Sequence, residues 1–204
     1  MALRTSSTGA ARSPDTASDL ELAAAAASGD RAARHRLVAR LIDPLRRTLY
    51  YLAASEADAE DLTQNALIRA LEAAGTYRGD CPLEGWARRI AIRVATRRQH
   101  KLRRRRELRE ASWSPPAEAI AQDEAADRNA IRRRVRDHLQ ALPQKQRAAL
   151  VLHLVEGYTA AEVAAIAEVP LGTARDRLLR GRAALKKKIV SDPELQSRVE
   201  ARTR

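Results

Sequence analysis

The stretch YTAAEVAAIAEVPLGTARDRLLRGRAALKKK, residues 158–188, carries the signals of two short helices and the tight turn between them. Thr159 followed three positions later by Glu162 is a capping box, which fixes where the first helix begins. Val163 and Ile166 are spaced to face a core, and Val169-Pro170 breaks the helix because proline cannot continue it. A second helix restarts at once. Its Ala174, Leu178, Leu185 and Ile189 recur at steps near 3.6 and bury one face, which leaves Arg175, Asp176, Leu179, Arg180 and Arg182 outward. Two short helices on a tight turn, the second exposing a basic face, have the spacing of a helix-turn-helix that presents its second helix to the DNA major groove.

An ordinary helical hairpin with a solvated basic face has the same periodicity. Charge favours the nucleic-acid reading. Residues 170–190 hold seven Lys and Arg against the single acid Asp176, and an arginine here can pair with guanine O6 and N7, worth about 1–3 kcal/mol of base discrimination.

The same imbalance extends outward from this segment. The 204-residue chain has a formal net charge of +12, which favours polyanionic partners. Residues 86–106 carry ten basic residues (Arg88, Arg89, Arg93, Arg97, Arg98, Lys101, Arg103, Arg104, Arg105, Arg106) and no acid, whereas residues 107–127 carry six acids and one arginine. Two basic blocks therefore flank an acidic spacer. Aromatic residues make up 3% with no Phe, and Ala, Leu, Arg and Glu, the strong helix formers, dominate, so the expected fold is all-α.

Several classes fall away on composition. One cysteine, Cys81, excludes an internal disulfide and a Cys-based metal cluster, in keeping with a reducing cytoplasm. No apolar run approaches the roughly 18–20 residues of a membrane span, and the Ala23–Ala27 run follows Asp19 and Glu21 where a signal peptide would be positive. His35, His100, His138 and His153 lack metal-ligand spacing and no phosphate-cradling Gly loop is present, so neither an enzyme nor a cofactor or metal site is expected. A lone cysteine is usually inert, which leaves nucleophilic catalysis by Cys81 the weakest reading.

Along the rest of the chain, residues 1–18 read as a disordered tail. A helix over residues 19–28 stops at Gly29, and Asp30 caps the next, where Leu37, Leu41, Leu45, Leu49 and Leu52 line one face and Pro44 predicts a kink. Ser55 and Asp58 open a helix over residues 57–74 whose early acids suit its electropositive end. The segment TYRGDCP, residues 76–82, is a loop. A long helix follows from Leu83 with Trp86, Ile90 and Val94 on one face, and WSPPA, residues 113–117, stops helix within an exposed linker. The remaining helices end before Pro143, run over residues 144–156 to Gly157, over 159–167, and over 171–189.

Two faces in the first half are candidate binding surfaces. In the helix 57–74, Asp61, Leu62, Gln64, Asn65 and Ile68 fall outside the expected core stripe of Ala66, Ala70 and Ala74 and mix charges, amides and apolar groups that a partner protein could read; a plain surface helix would look the same. In the block 86–106, ten cations repel one another unless a polyanion compensates them, and binding by phosphate neutralisation weakens steeply with salt; a solvated arginine-rich helix is the competing reading. Trp86 reads first as a core anchor, and Tyr77, in a Gly-flanked loop, as a ring on which an unpaired base could stack.

With both blocks read, the chain resembles the extracytoplasmic-function sigma factors of bacterial RNA polymerase over about residues 19–190. DAEDLTQNALIRAL, residues 58–71, is similar to the family's polymerase-binding helix. TYRGDCPLEGWARRIAIRVA, residues 76–95, is similar to the loop and helix that open and read the −10 element. LPQKQRAALVLHLVEGYTAAEVAAIAEVPLGTARDRLLRGRAALKK, residues 142–187, is similar to the region that reads the −35 element. The resemblance implies that Asp61, Leu62, Gln64, Asn65 and Ile68 dock on the clamp helices of the largest polymerase subunit, with the second domain at the flap of the second-largest. It implies that Tyr77, Arg78, Trp86, Arg89, Arg93 and Arg97 serve the −10 strand, and that Arg175, Asp176, Arg177, Leu179, Arg180 and Arg182 serve the −35 duplex. An anti-sigma partner and a role in stress response are implied in the same way. The chain departs from the family pattern at Asn65 (commonly Glu), Arg93 (Asn in many members), Glu168 (commonly Gly) and Asp176 (commonly Ser).

The expected architecture is two small helical bundles joined by an acidic, Pro-containing linker: a tail over 1–18, a region 2-like domain over 19–107, the linker over 108–126, a region 4-like helix-turn-helix domain over 127–190, and a C-terminal tail over 191–204. Its expected partners are polymerase core, promoter DNA and an anti-sigma factor, without membrane insertion, in the cytoplasm. Two rivals remain: a stand-alone helix-turn-helix regulator, and a sigma mimic that only sequesters an anti-sigma protein. The intact basic faces speak against the mimic.

Overall fold

A computed structural model describes residues 14–107 and 124–195; the expected linker motif at 113–117 lies outside them. Helix α1 spans Pro14–Ala27 and α2 spans Arg31–Leu52. Helix α3 spans Glu56–Glu72 and is followed by a 3-10 turn at Ala74–Thr76, before α4 spans Leu83–Glu107. The second half consists of α5 (Glu124–Gln140), α6 (Gln144–Leu150) running on through a wide π-type turn at Val151–Val155, α7 (Ala160–Ala167) and α8 (Leu171–Val190). Among the described residues there is no strand.

Local chemistry sets most of these boundaries. The Asp30 carboxylate accepts from Ala33 N at 2.6 Å, Ser55 Oγ accepts from Asp58 N at 3.1 Å, and Thr159 and Glu162 make both halves of their capping box. Gly29 and Gly157 take the left-handed conformations (φ 98° and 77°) that end the preceding turns. Helix α2 stays helical through Pro44, and Thr48 Oγ1 donates back to the Pro44 carbonyl at 3.0 Å.

Two boundaries differ from the sequence reading. Helix α1 begins at Pro14, inside the expected tail, because proline is tolerated at the first helical position where no intrahelical N–H is required. Helix α5 begins at Glu124 rather than near 127, so the last acids of the spacer, Glu124 and Asp127, belong to a helix N-terminus, which favours negative charge.

The leucine face of α2 is the centre of the first bundle. Leu37, Leu41, Leu45, Leu49 and Leu52 are all buried, each worth about 1.5–3 kcal/mol, and α1, α3 and α4 pack around them. Helix α4 contributes the stripe Leu83, Ala87, Ala91 and Ala95, whose small side chains let it approach α2 and α3 closely. Ile90 and Val94, on the face expected to be core, are only half-buried. In the second bundle α8 packs on α6 and α7 through Ala174, Leu178, Gly181 and Leu185.

The two bundles meet. Helix α5 lies against α2, α7 lies against α4, and the buried apolar residues of both halves form one continuous cluster. The chain after α8 also docks: Asp192 caps the turn at Glu194 and Leu195 and contacts His138 and Arg134 of α5. The His138 hydrogen bond leads the contacts that hold the Asp192 carboxyl below its ordinary value.

Candidate nucleic-acid and polymerase interfaces

On α8 the expected segregation holds at each position. Ala174, Leu178 and Leu185 are buried and Ile189 packs against them, while Arg175, Asp176, Leu179, Arg180 and Arg182 are exposed and Arg177 is half-buried. Leu179 is 71% exposed, an apolar side chain held in water on the outer face of a basic helix. Arg180 Nε donates to Asp176 at 2.8 Å, so the acid steadies its neighbour one turn on, and Arg182 is tied to His153.

The α4 set divides. Arg78 and Arg97 are exposed and Arg93 is largely so. Tyr77 and Trp86 are core residues: their rings meet at 5.6 Å between centroids, Tyr77 OH donates to the Cys81 carbonyl at 2.9 Å, and burial pushes the phenol pKa up to about 12. Neither ring offers an open face for a base in this conformation. A loop tyrosine flanked by glycine is therefore drawn inward here by the indole beside it.

On α3, Asp61, Gln64, Asn65 and Ile68 are exposed, and Asn65 donates to the Asp61 carbonyl at 2.8 Å. Leu62 is 3% exposed and corrects the sequence reading, which placed it outside the core stripe. It stands four residues before Ala66 and eight before Ala70, so all three share one helical face. Ile68 stays outward at 54% exposure.

The densest polar cluster lies between the bundles. The Glu156 side chain has no exposed surface. One carboxylate oxygen accepts from Arg47 Nε at 3.2 Å and Thr48 Oγ1 at 2.9 Å, and the other from Arg47 Nη2 at 2.7 Å and Arg88 Nη2 at 2.6 Å. Arg88, 6% exposed, also donates to Tyr158 OH at 2.8 Å. Enclosure raises the Glu156 pKa, but the hydrogen bond from Arg47, the Arg88 charge and the Thr48 hydroxyl outweigh it and hold the carboxyl below its ordinary value. Nearby, buried Arg147 donates to Gln140, to Gln99 and to the Leu52 carbonyl, and loss of solvent lowers its pKa to about 10.

A second ionic contact crosses from α4 to the turn between α7 and α8. Arg89 Nη1 donates to Glu168 at 3.2 Å, its Nη2 donates to the Ala165 carbonyl at 3.0 Å, and Arg93 is bound to the other Glu168 oxygen. Glu168 has φ 51° and ψ 52°, the left-handed conformation, and is the one non-glycine residue with positive φ among those described. Of the described residues, no group of three or more His, Cys, Asp and Glu side chains is placed to hold a metal, and no helix is long and apolar enough to cross a membrane.

The family model for Sigma-70 region 2 matches residues 37–107, and that for Sigma-70, region 4 matches residues 132–185. Over 168 residues the chain is 33% identical to the ECF RNA polymerase sigma factor SigM of Mycobacterium tuberculosis, covering 82% of this chain and 83% of SigM. The chain belongs to the ECF sigma factors of the sigma-70 family. It is 29% identical to the RNA polymerase sigma-H factor of Pseudomonas aeruginosa, covering 83% of this chain and 92% of that one. A solved structure of CnrH in complex with the cytosolic domain of CnrY is similar at a TM-score of 0.62 and 26% identity, covering 85% of this chain and 98% of CnrH.

In this sigma factor the region 2 match ends with α4 and the region 4 match holds α6 to most of α8, so the Glu156 and Glu168 contacts join the two regions. Sequence reasoning missed both. A signal was present at Glu156: an acid in the last turn before a helix-ending glycine opposes the helix dipole and asks for a cation elsewhere.

Proposed function

We propose that this sigma factor reads its promoter through two helical faces and holds polymerase through a third. The exposed residues of α8, Arg175, Leu179, Arg180 and Arg182, are the −35 reading set, with Asp176 orienting Arg180 rather than meeting a base. Arg175 and Arg180 are candidates for guanine or phosphate, and Leu179 suits a thymine methyl group. Arg78, Arg89, Arg93 and Arg97 serve the −10 strand by phosphate neutralisation, and base capture falls to groups other than the buried Tyr77 and Trp86 rings. Asp61, Gln64, Asn65 and Ile68 form the face for the polymerase clamp helices.

The observation that carries this reading is the α8 face: a continuous buried stripe on one side and, on the other, arginines flanking a leucine that is 71% exposed. The similar CnrH structure is a complex with the cytosolic domain of CnrY, and an anti-sigma protein is the third partner of this reading. Melting requires no chemistry, since unstacked bases and phosphates gain contacts that offset a few kcal/mol of unstacking per nucleotide.

The test is in vitro transcription with core polymerase on promoters bound by the chain. The expected result is promoter-dependent transcript that Arg175→Ala and Leu179→Ala reduce at particular −35 sequences while Ile68→Ala reduces all promoters alike. Absence of any promoter-dependent transcript would defeat the reading.

A further inference from the structure

Two of the four arginines assigned to the −10 strand, Arg89 and Arg93, are engaged by another part of the chain in this structure. Arg89 and Arg93 are bound by Glu168, and Arg89 also holds the carbonyl of Ala165 in the last turn of α7, where a helix C-terminus favours a cation. Just N-terminal on α4, an added Cβ at Gly85 would lie 3.7 Å from Tyr158 OH and 4.0 Å from Ile166, so region 4 sits directly on the start of that helix. Two turns of α4 are thereby covered by the helix-turn-helix itself. The reading face of α8 meanwhile points outward and stays exposed.

We propose that this sigma factor is self-locked: the helix-turn-helix turn, through Glu168, occupies Arg89 and Arg93 of the −10 set on α4, and the two regions must part before the −10 strand can reach them. The proposal rests on the assignment of Arg89 and Arg93 to promoter DNA made above. The chemistry of the lock is specific. Glu168 presents two carboxylate oxygens to two guanidinium groups, as a DNA phosphate would, so the turn is an internal stand-in for the ligand. Its left-handed backbone is a conformation that glycine adopts without strain, and a glycine there would remove both ion pairs and leave Arg89 only the Ala165 carbonyl. Glu156 supplies the second attachment, joining Arg47 and Arg88 of region 2 from the end of the α6 turn.

The lock predicts that weakening the closed state raises affinity for single-stranded DNA by the same factor, because apparent affinity scales with the open fraction. The experiment uses the full chain in three forms besides the wild type. Glu168→Gly removes both ion pairs, and Glu168→Lys replaces attraction with repulsion. Glu21→Lys, on the exposed side of α1, adds the same charge as Glu168→Lys far from the contact. Small-angle scattering gives the radius of gyration, and fluorescence anisotropy with a short fluorescein-labelled single-stranded DNA gives the affinity. The expected result is a wild type near the roughly 17 Å of a single compact body of this length, expansion in both Glu168 variants, and binding about three- to tenfold tighter than in Glu21→Lys. A wild type already expanded, or Glu168 variants that match Glu21→Lys in size and affinity, overturns the lock. A pull-down of each form on core polymerase separates the two levels: loss of capture by every form removes the sigma assignments, whereas capture with unchanged scattering and DNA affinity removes only the lock.

Discussion

Replacing Glu156 by Gln tests the seam between the two regions at its most buried point. The carboxylate serves four donors, two on each oxygen, and its side chain is fully enclosed. Gln keeps one acceptor oxygen and turns the other into an NH2 group, which then faces the Arg88 and Arg47 guanidinium donors. Arg47 is half-exposed and recovers water, but Arg88 cannot do so while the regions are closed. Removing one partner of a buried ion pair typically costs about 3–5 kcal/mol, and the exposed Arg47 argues for the lower end, about 3 kcal/mol. For a chain of this size about 1 kcal/mol moves the midpoint by roughly 2–4 °C, so thermal unfolding followed by circular dichroism should shift down by roughly 6–12 °C. Asp43→Asn, which breaks the exposed Arg46 pair on the same helix, is the reference and should move the midpoint by about 2 °C or less. Equal shifts in the two variants would refute the claim that Glu156 is an enclosed, multiply bound anion.

Three further outcomes are expected. Because the folded Glu156 pKa lies below its ordinary 4.5, its stabilisation is complete above that value and fades as pH falls through the folded one; a wild-type midpoint that declines below about pH 4.5 more steeply than that of Glu156→Gln, in a pH series of melts, is the check. Leu62→Ala should destabilise the chain by about 2–5 kcal/mol in urea titration, whereas Ile68→Ala should leave stability within about 0.5 kcal/mol and weaken capture of core polymerase, which separates a core role from a docking role on one helix. Thr159→Ala removes the capping oxygen of α7 and should cost about 1 kcal/mol in the same titration, with Thr159→Ser recovering most of it.

What could be read from residues alone was the local chemistry. The leucines of α2 recur at steps of three and four and end buried, and the caps at Asp30, Ser55 and Thr159 stand where their side chains predicted. The outward face of α8 follows from its inward one. Misreadings came where two faces were nearly equivalent. On α4 Trp86 is buried as expected, but Ile90 and Val94 are only half-buried and Leu83, Ala87, Ala91 and Ala95 form the fully buried stripe, since alanines let the helix approach its neighbours more closely than branched side chains do. Leu62 sits among polar neighbours in the sequence, and only its phase with Ala66 and Ala70 marks it as core. Contacts between side chains 68 to 109 positions apart, such as Arg88 with Glu156 and Arg47 with Glu156, leave no periodic trace.

The charge argument changes most once the fold is known. Ten cations and no acid within residues 86–106 suggested a helix that must seek a polyanion. Among the described side chains, Arg88 is answered by Glu156, Arg89 and Arg93 by Glu168, and Arg98 by Asp58, so these four are neutralised from elsewhere in the chain. These four are not equivalent. Arg88 and Glu156 are both enclosed, and exchanging that partner for a phosphate would require water or DNA to reach a buried site, which makes Arg88 a structural cation. Glu168 is about half-exposed, and Arg93 with it, so a phosphate competes for them on nearly equal terms once the turn is displaced. Clustered positive charge on α4 thus holds the two regions together as well as supplying the surface proposed for DNA, and on that proposal solvent exposure of the acid decides which arginines can change partner.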